Sequence, residues 1–264
     1  MLNYYLMIRI FSLLVSVMLL LVITTTVSAN QDGHVNPLIP ERNGDYADPE
    51  HPGVRVRVFV HEPKGSHTTT STPVLACTDP DSSAVVGPTG WKLPNGAWTY
   101  QLNVSSVPSS VGSTNLPTLA GNAFNAWQAA QGKVTFTRGA DTSINKQALD
   151  FKNIVSWGRT SGTALAVTYT RYYTISKLVA DVDTIMNQKF VWSWTDPVNS
   201  CSLYSNTYDS QDILTHEIGH WMGLNDHKAS EYQHNTMFWS GSTGELKKNT
   251  LTTGDKNGIT AIYP

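Results

Sequence analysis

The sequence predicts an α+β domain, on three observations. Short segments at 54–60 and 98–104 alternate apolar and polar residues with the period of two that a half-buried strand requires. Longer segments at 115–131, 210–224 and 251–263 carry helical spacing together with residues that start or stop a helix. Charged residues make up only 14% of the chain, beside abundant Ser, Thr, Asn, Gly and aromatics, a composition that suits an exported, strand-rich protein.

From the N-terminus, Arg9 precedes an apolar run at 10–23, and Val27-Ser28-Ala29 supplies the small residues that signal peptidase cuts after. Residues 1–29 therefore read as a signal peptide, since the apolar run is short of the roughly 20 residues a membrane span needs. About 235 residues remain, enough for one substantial domain with a flank. The mature chain is expected to be soluble, extracellular, free of the membrane and monomeric.

Residues 30–90 form a leader or N-terminal flank. Residues 30–52 are polar and proline-bearing and read as flexible, 54–60 is a strand, and 61–72 is a Ser/Thr-rich linker. The strand belongs either to a prosegment or to the sheet of the following domain. His34, His51, His61 and His67 read as solvated residues of this flank.

Residues 91–264 hold the remaining elements. A strand at 98–104 leads to a helix at 115–131, with Pro117 near its start, Ala120, Phe124 and Trp127 on one face, and Gly132 after its end. Further strands are expected at 134–137, 153–157, 164–170 and 178–186. Asp181 and Asp183 alternate with valines on the last of these and read as solvated carboxylates, with a calcium site as the alternative.

Chemistry concentrates in His216-Glu217-Ile218-Gly219-His220. Positions i and i+4 share a helix face, so His216 and His220 can aim two imidazoles at one metal ion while Glu217 borders the same space. Zinc on three protein ligands keeps a position open for water, and Glu217 is then the candidate general base. Asp209-Ser210-Gln211-Asp212 offers cap residues for this helix, and Leu214, Ile218 and Trp221 its buried face. Gly223 is placed to end the helix and turn the chain back toward the metal. Met237 follows at short range, where it can pack beneath the ligands. The closing helix at 251–263 has Thr253 as a candidate cap, with Ile259 and Ile262 spaced for burial.

With Gly223, Asp226 and Met237 in sequence, the chain resembles the metzincin clan of zinc peptidases, and within it the matrixins. The resemblance implies a zincin-like domain with a five-stranded mixed sheet, two long helices and a C-terminal helix. It implies a secreted zinc endopeptidase with one catalytic zinc, a polypeptide substrate and 164–170 as the edge strand above the cleft. The third zinc ligand falls on Asp226, where most matrixins have histidine, with His227 one place later as the alternative. Phe238 and Trp239, after the Met-turn, would line the pocket for the residue following the cut. Matrixins bind calcium near the strand that bears Asp181 and Asp183. Histidines matching the family's structural zinc are not found between 153 and 183.

Other readings stand beside this one. A thermolysin-like hydrolase would need a glutamate ligand, from Glu231 or Glu245. A secreted binding or cell-wall protein could keep the fold and the zinc without hydrolysis. His234 is either a loop residue or a neighbour of the metal. Cys77 lacks the arginine and glycine that flank a matrixin latency cysteine, and in an oxidising compartment it pairs with Cys201 in a disulfide. Asn103-Val104-Ser105 matches a glycosylation acceptor. A net charge of −2, with 18 Lys and Arg and no basic cluster, argues against nucleic-acid binding.

Overall fold

A computed structural model describes residues 39–64, 80–160, 162–194 and 206–264. The signal segment, His34, His67 and both cysteines lie outside the described residues, and so does the Cys77–Cys201 disulfide expected between them.

The alternating segments become strands: β1 (Gly44–Ala47), β2 (Val54–Pro63), β3 (Gly96–Leu102), β4 (Val134–Arg138), β5 (Asn153–Gly158), β6 (Ala166–Tyr173) and β7 (Val179–Asn187). They form one mixed sheet in the order β1-β2-β6-β7-β5-β3-β4, and a short β10 (Ser240–Gly241) also pairs with β2. Neighbours β4, β3, β5 and β7 run parallel, while β6 is antiparallel to β7 and β2 antiparallel to β6. Three helices follow the helical patterns: α1 (Leu116–Ala129), α2 (Ser210–Trp221) and α3 (Thr253–Ile262). Two further short strands, β8 (Trp192–Ser193) and β9 (Tyr208–Asp209), pair with each other and lead straight into α2.

The sheet carries apolar residues on both faces. Val56, Val58, Val60, Ile154, Val167, Tyr169 and Ile185 pack together on one side. Phe59, Ala166, Val182 and Met186 join the larger core that contains α1 and α2. On α1 the face bearing Ala120, Phe124 and Trp127 is buried, and the Trp127 indole donates to the Thr215 carbonyl oxygen at 2.7 Å, tying α1 to α2. Among the described residues no helix is long and apolar enough to cross a membrane.

The five expected strands are present, but the sheet is wider, because β1 and β2 add to it; 44–47 is a strand paired to β2 and not part of a flexible leader. Consequently β6 is not an edge: the unpaired backbone of such an edge recruits an extended segment, and β2 supplies it. Asp181 and Asp183 are buried, not solvated, and both face the Arg171 guanidinium at 3.6 Å. The cap of α3 is Thr252, which exchanges hydrogen bonds with Asp255 in a capping box, whereas Thr253 bonds to Asp81.

Candidate active site

Asp209 starts α2 by accepting the Asp212 N–H at 2.6 Å, and the helix that follows is buried along its whole length. Its C-terminus closes in a Schellman arrangement. Gly223 N–H bonds to His220 O at 3.1 Å, and Leu224 N–H bonds to Gly219 O at 3.0 Å. Gly223 takes φ +94°, and a Cβ there would lie 2.4 Å from the Trp91 carbonyl oxygen, so only glycine can make this turn.

The turn brings Asp226 back to the helix. His216 Nε2 and His220 Nε2 are 3.1 Å apart, and Asp226 Oδ1 lies 3.1 Å from the first and 3.4 Å from the second. Each ring is held from behind by a backbone carbonyl oxygen, Thr236 O at 2.7 Å from His216 Nδ1 and Leu224 O at 2.9 Å from His220 Nδ1. A carbonyl oxygen only accepts, so both Nδ1 atoms carry the protons and both Nε2 atoms present lone pairs. Two lone pairs and a carboxylate oxygen then converge with no proton between them, an arrangement that only a cation stabilises. Their separations match the edges of a zinc tetrahedron, about 3.3 Å for bonds of about 2.0–2.1 Å. These residues therefore fit a zinc ion.

His227 is elsewhere. Its Nε2 accepts the Gly87 N–H at 2.8 Å and its ring stacks on Tyr232. Its backbone pairs with the segment after the Met-turn, His227 N–H to Met237 O and Trp239 N–H to His227 O. Met237 is fully buried, with its sulfur against Gly219, where a Cβ would approach it to 2.2 Å. The thioether thus lies under the turn of helix between the two histidines. Asp255 of α3 braces the same segment, accepting the Thr236 N–H at 2.9 Å while Thr236 O holds His216. Neither Glu231 nor Glu245 belongs to a metal-competent cluster among the described residues, and Glu245 pairs with Lys247. His234 contacts Gln233 in the same loop. Phe238 and Trp239 are half-buried, with the ammonium groups of Lys247 and Lys228 over their rings.

Burial dominates the electrostatics. It pushes His216 down to about 3, keeping the ring neutral as a metal ligand must be, and pushes Glu217 up to about 7.

The site also holds residues that sequence reasoning missed. His61, read as solvated, is buried. Positions 59 and 61 share the face of β2 that meets α2. Phe59 stacks on His220 with ring centroids 3.7 Å apart, and His61 meets His216 edge-on at 4.0 Å. The buried Lys248 ammonium bonds to Phe238 O and Ser240 O and lies 3.2 Å from His61 Nε2, so His61 Nδ1 carries the ring proton and faces Glu217 Oε1 at 3.6 Å. The clean alternation of 54–60 carried the signal: extended by one residue, it puts a histidine beside a buried phenylalanine. Thr168 was also missed; its hydroxyl donates to Glu217 Oε2 at 2.6 Å. β2 lies in a slot, antiparallel to β6 on one side and, on the other, antiparallel to β1 at 55–58 and parallel to β10 at 62–63.

A comparison with protein families finds that the model described as Matrixin matches residues 91–264. No curated protein matches the chain.

Proposed function

The chain belongs to the matrixin family of metallopeptidases, and on that premise we propose that it is an exported zinc-dependent endopeptidase with one catalytic zinc, held by His216, His220 and Asp226. The observation that carries this reading is the convergence of the three unprotonated donor atoms beside Glu217. When bound, zinc supplies Lewis acidity that makes water a competent nucleophile near neutral pH. The chain's own residues supply the rest. Glu217 Oε1 is buried without a hydrogen-bond partner and is the oxygen free to take a proton from water and pass it to the leaving amine. The carbonyls of Thr236 and Leu224 fix both imidazole tautomers, and Met237 supports the helix beneath them. Phe238 and Trp239 form the wall for the residue after the cut. An extended polypeptide substrate pairs with β6 through main-chain hydrogen bonds.

In the same reading residues 30–63 are a prosegment. β2 fills the side of β6 that a substrate would use, and His61 stands against both His216 and Glu217, so peptide binding requires β2 to leave. The sequence of residues 1–29 supports export, and the two cysteines support a Cys77–Cys201 disulfide in the exported, monomeric protein. At Asp181 and Asp183 the Arg171 guanidinium supplies the positive charge that calcium would bring, which disfavours calcium there.

The test compares peptide hydrolysis and metal content of the parent and Glu217→Gln, each cut after Lys64, the exposed residue that follows β2. One zinc in both, with hydrolysis in the parent alone, supports the peptidase. One zinc in both and hydrolysis in neither supports the silent binding protein instead.

A further inference from the structure

Thr168 and Thr184 occupy the face of the sheet that packs on α2, directly opposite each other on β6 and β7, and both are fully buried. Of the neighbouring positions on this face, Ala166, Val182 and Met186 are apolar, and Thr170 is a buried threonine whose hydroxyl has no hydrogen-bond partner. Packing alone would be served by valine, and a buried hydroxyl is unfavourable unless it is hydrogen-bonded. Both hydroxyls are. The Trp221 indole Nε1 lies 2.8 Å from Thr184 Oγ1, Thr184 Oγ1 lies 2.6 Å from Thr168 Oγ1, and Thr168 Oγ1 lies 2.6 Å from Glu217 Oε2.

The direction of this chain is fixed by its ends. An indole N–H only donates, and a carboxylate only accepts. Thr184 therefore receives from Trp221 and donates to Thr168, which donates to Glu217. Each donated bond strengthens the next in a dry environment. Trp221 stands one turn after Glu217 on α2, so both ends of the chain are on the helix that carries His216 and His220, and its middle is on the sheet. The effect on Glu217 is asymmetric. Oε2 is anchored, and Oε1 makes no hydrogen bond and faces only the His61 ring, 3.6 Å from its Nδ1.

We propose that Thr168 is a positioning residue for the general base, with Thr184 and Trp221 behind it: the hydroxyl chain fixes one oxygen of Glu217 so that the other is held where water must be deprotonated. The proposal rests on the peptidase reading. Thr168 touches neither substrate nor metal in this role; it acts through Glu217. Because β6 contributes Thr168 from beneath, the chain persists whether or not β2 occupies the slot.

Two readouts test it. In the chain cut after Lys64, Thr168→Val should lower kcat for a peptide by about 10-fold to 100-fold, a fraction of what a general base contributes, with KM within about 2-fold of the parent. Thr168→Ser, which restores the hydroxyl, should keep kcat within about 3-fold, and Thr184→Val should give an intermediate loss. In the intact chain, the Trp221 indole proton, assigned with Trp221→Phe, should move upfield in Thr168→Val and return in Thr168→Ser, because Thr184 becomes a weaker acceptor once it has no hydroxyl to donate to. Parent-like kcat in Thr168→Val, an equal loss in Thr168→Ser, or a change confined to KM overturns the proposal. A zinc-loaded parent that cleaves nothing overturns the peptidase reading; the indole shift then decides the hydroxyl chain alone, and its failure to move overturns it.

Discussion

Asp226 Oδ1 lies 3.1 Å from His216 Nε2, and the nitrogen that faces it carries no proton, because the Thr236 carbonyl oxygen already holds the proton on Nδ1. In ordinary circumstances a carboxylate and a bare imidazole nitrogen repel at this distance. The pair supports the proposed role of Asp226, and not its neighbour His227, as the third donor to a cation.

Asp226→Ala should therefore weaken zinc binding by more than about 100-fold, beyond the range of a lost outer-shell partner. His227→Ala should leave one zinc per chain and instead lower stability by about 1–2 kcal/mol, since the Gly87 N–H loses its acceptor. Competition titration against a chelator and denaturant unfolding separate the two effects.

Gly219→Ala should destabilise the chain by about 1–3 kcal/mol through overpacking. A Cβ at this position meets the Met237 sulfur at 2.2 Å and Trp127 at 2.8 Å. Unfolding of the variant in urea checks this, and Met237→Ala in the same chain should recover part of the loss by opening the space.

The α3 cap also holds the Met-turn, so one carboxylate serves two elements. Asp255→Ala removes the acceptor for Thr252 and Thr236 N–H together and should cost about 2 kcal/mol, more than a helix cap alone. Thr253→Ala, which loses only the exposed bond to Asp81, should cost less than about 1 kcal/mol. Thermal unfolding of both variants provides the comparison.

The metal-free chain should show two opposed pH dependences. His216 is pushed down to about 3 from 6.5, so the unfolded chain binds the proton first, and stability falls as pH drops from about 6.5 toward 3. Glu217 is pushed up to about 7 from 4.5, so its contribution is complete below about 4.5 and is lost as pH rises through 7. Glu217→Gln removes only the second effect. After chelation its stability relative to the parent should therefore be greater at pH 8 than at pH 4.5, as read by unfolding at both values.

Where local chemistry determined structure, it was readable from the residues. His216, His220 and Glu217 needed only helical spacing, and Gly223 only the requirement for a left-handed residue at the helix end. Asp226 required a turn geometry that spacing suggests but does not fix. The long-range pairings were not readable. Nothing local to 54–60 says that it pairs with β6 across more than one hundred residues of chain. His61 looked like an exposed residue of a polar flank because the alternation of 54–60 places it on the same face as Phe59 but does not say which distant element covers that face. Thr168 was masked for a similar reason: an alternating strand accepts threonine without comment, and its partners Glu217 and Thr184 come from other elements.

In the proposed function, a zinc peptidase site is covered by β2 and His61. The most direct test is hydrolysis of an unstructured polypeptide by the zinc-loaded chain before and after a single cut following Lys64. Little or no cleavage is expected from the intact chain, and after the cut a cleavage that Glu217→Gln abolishes. Equal cleavage by both forms would contradict the covered cleft, and none by either, with zinc in place, would contradict the peptidase.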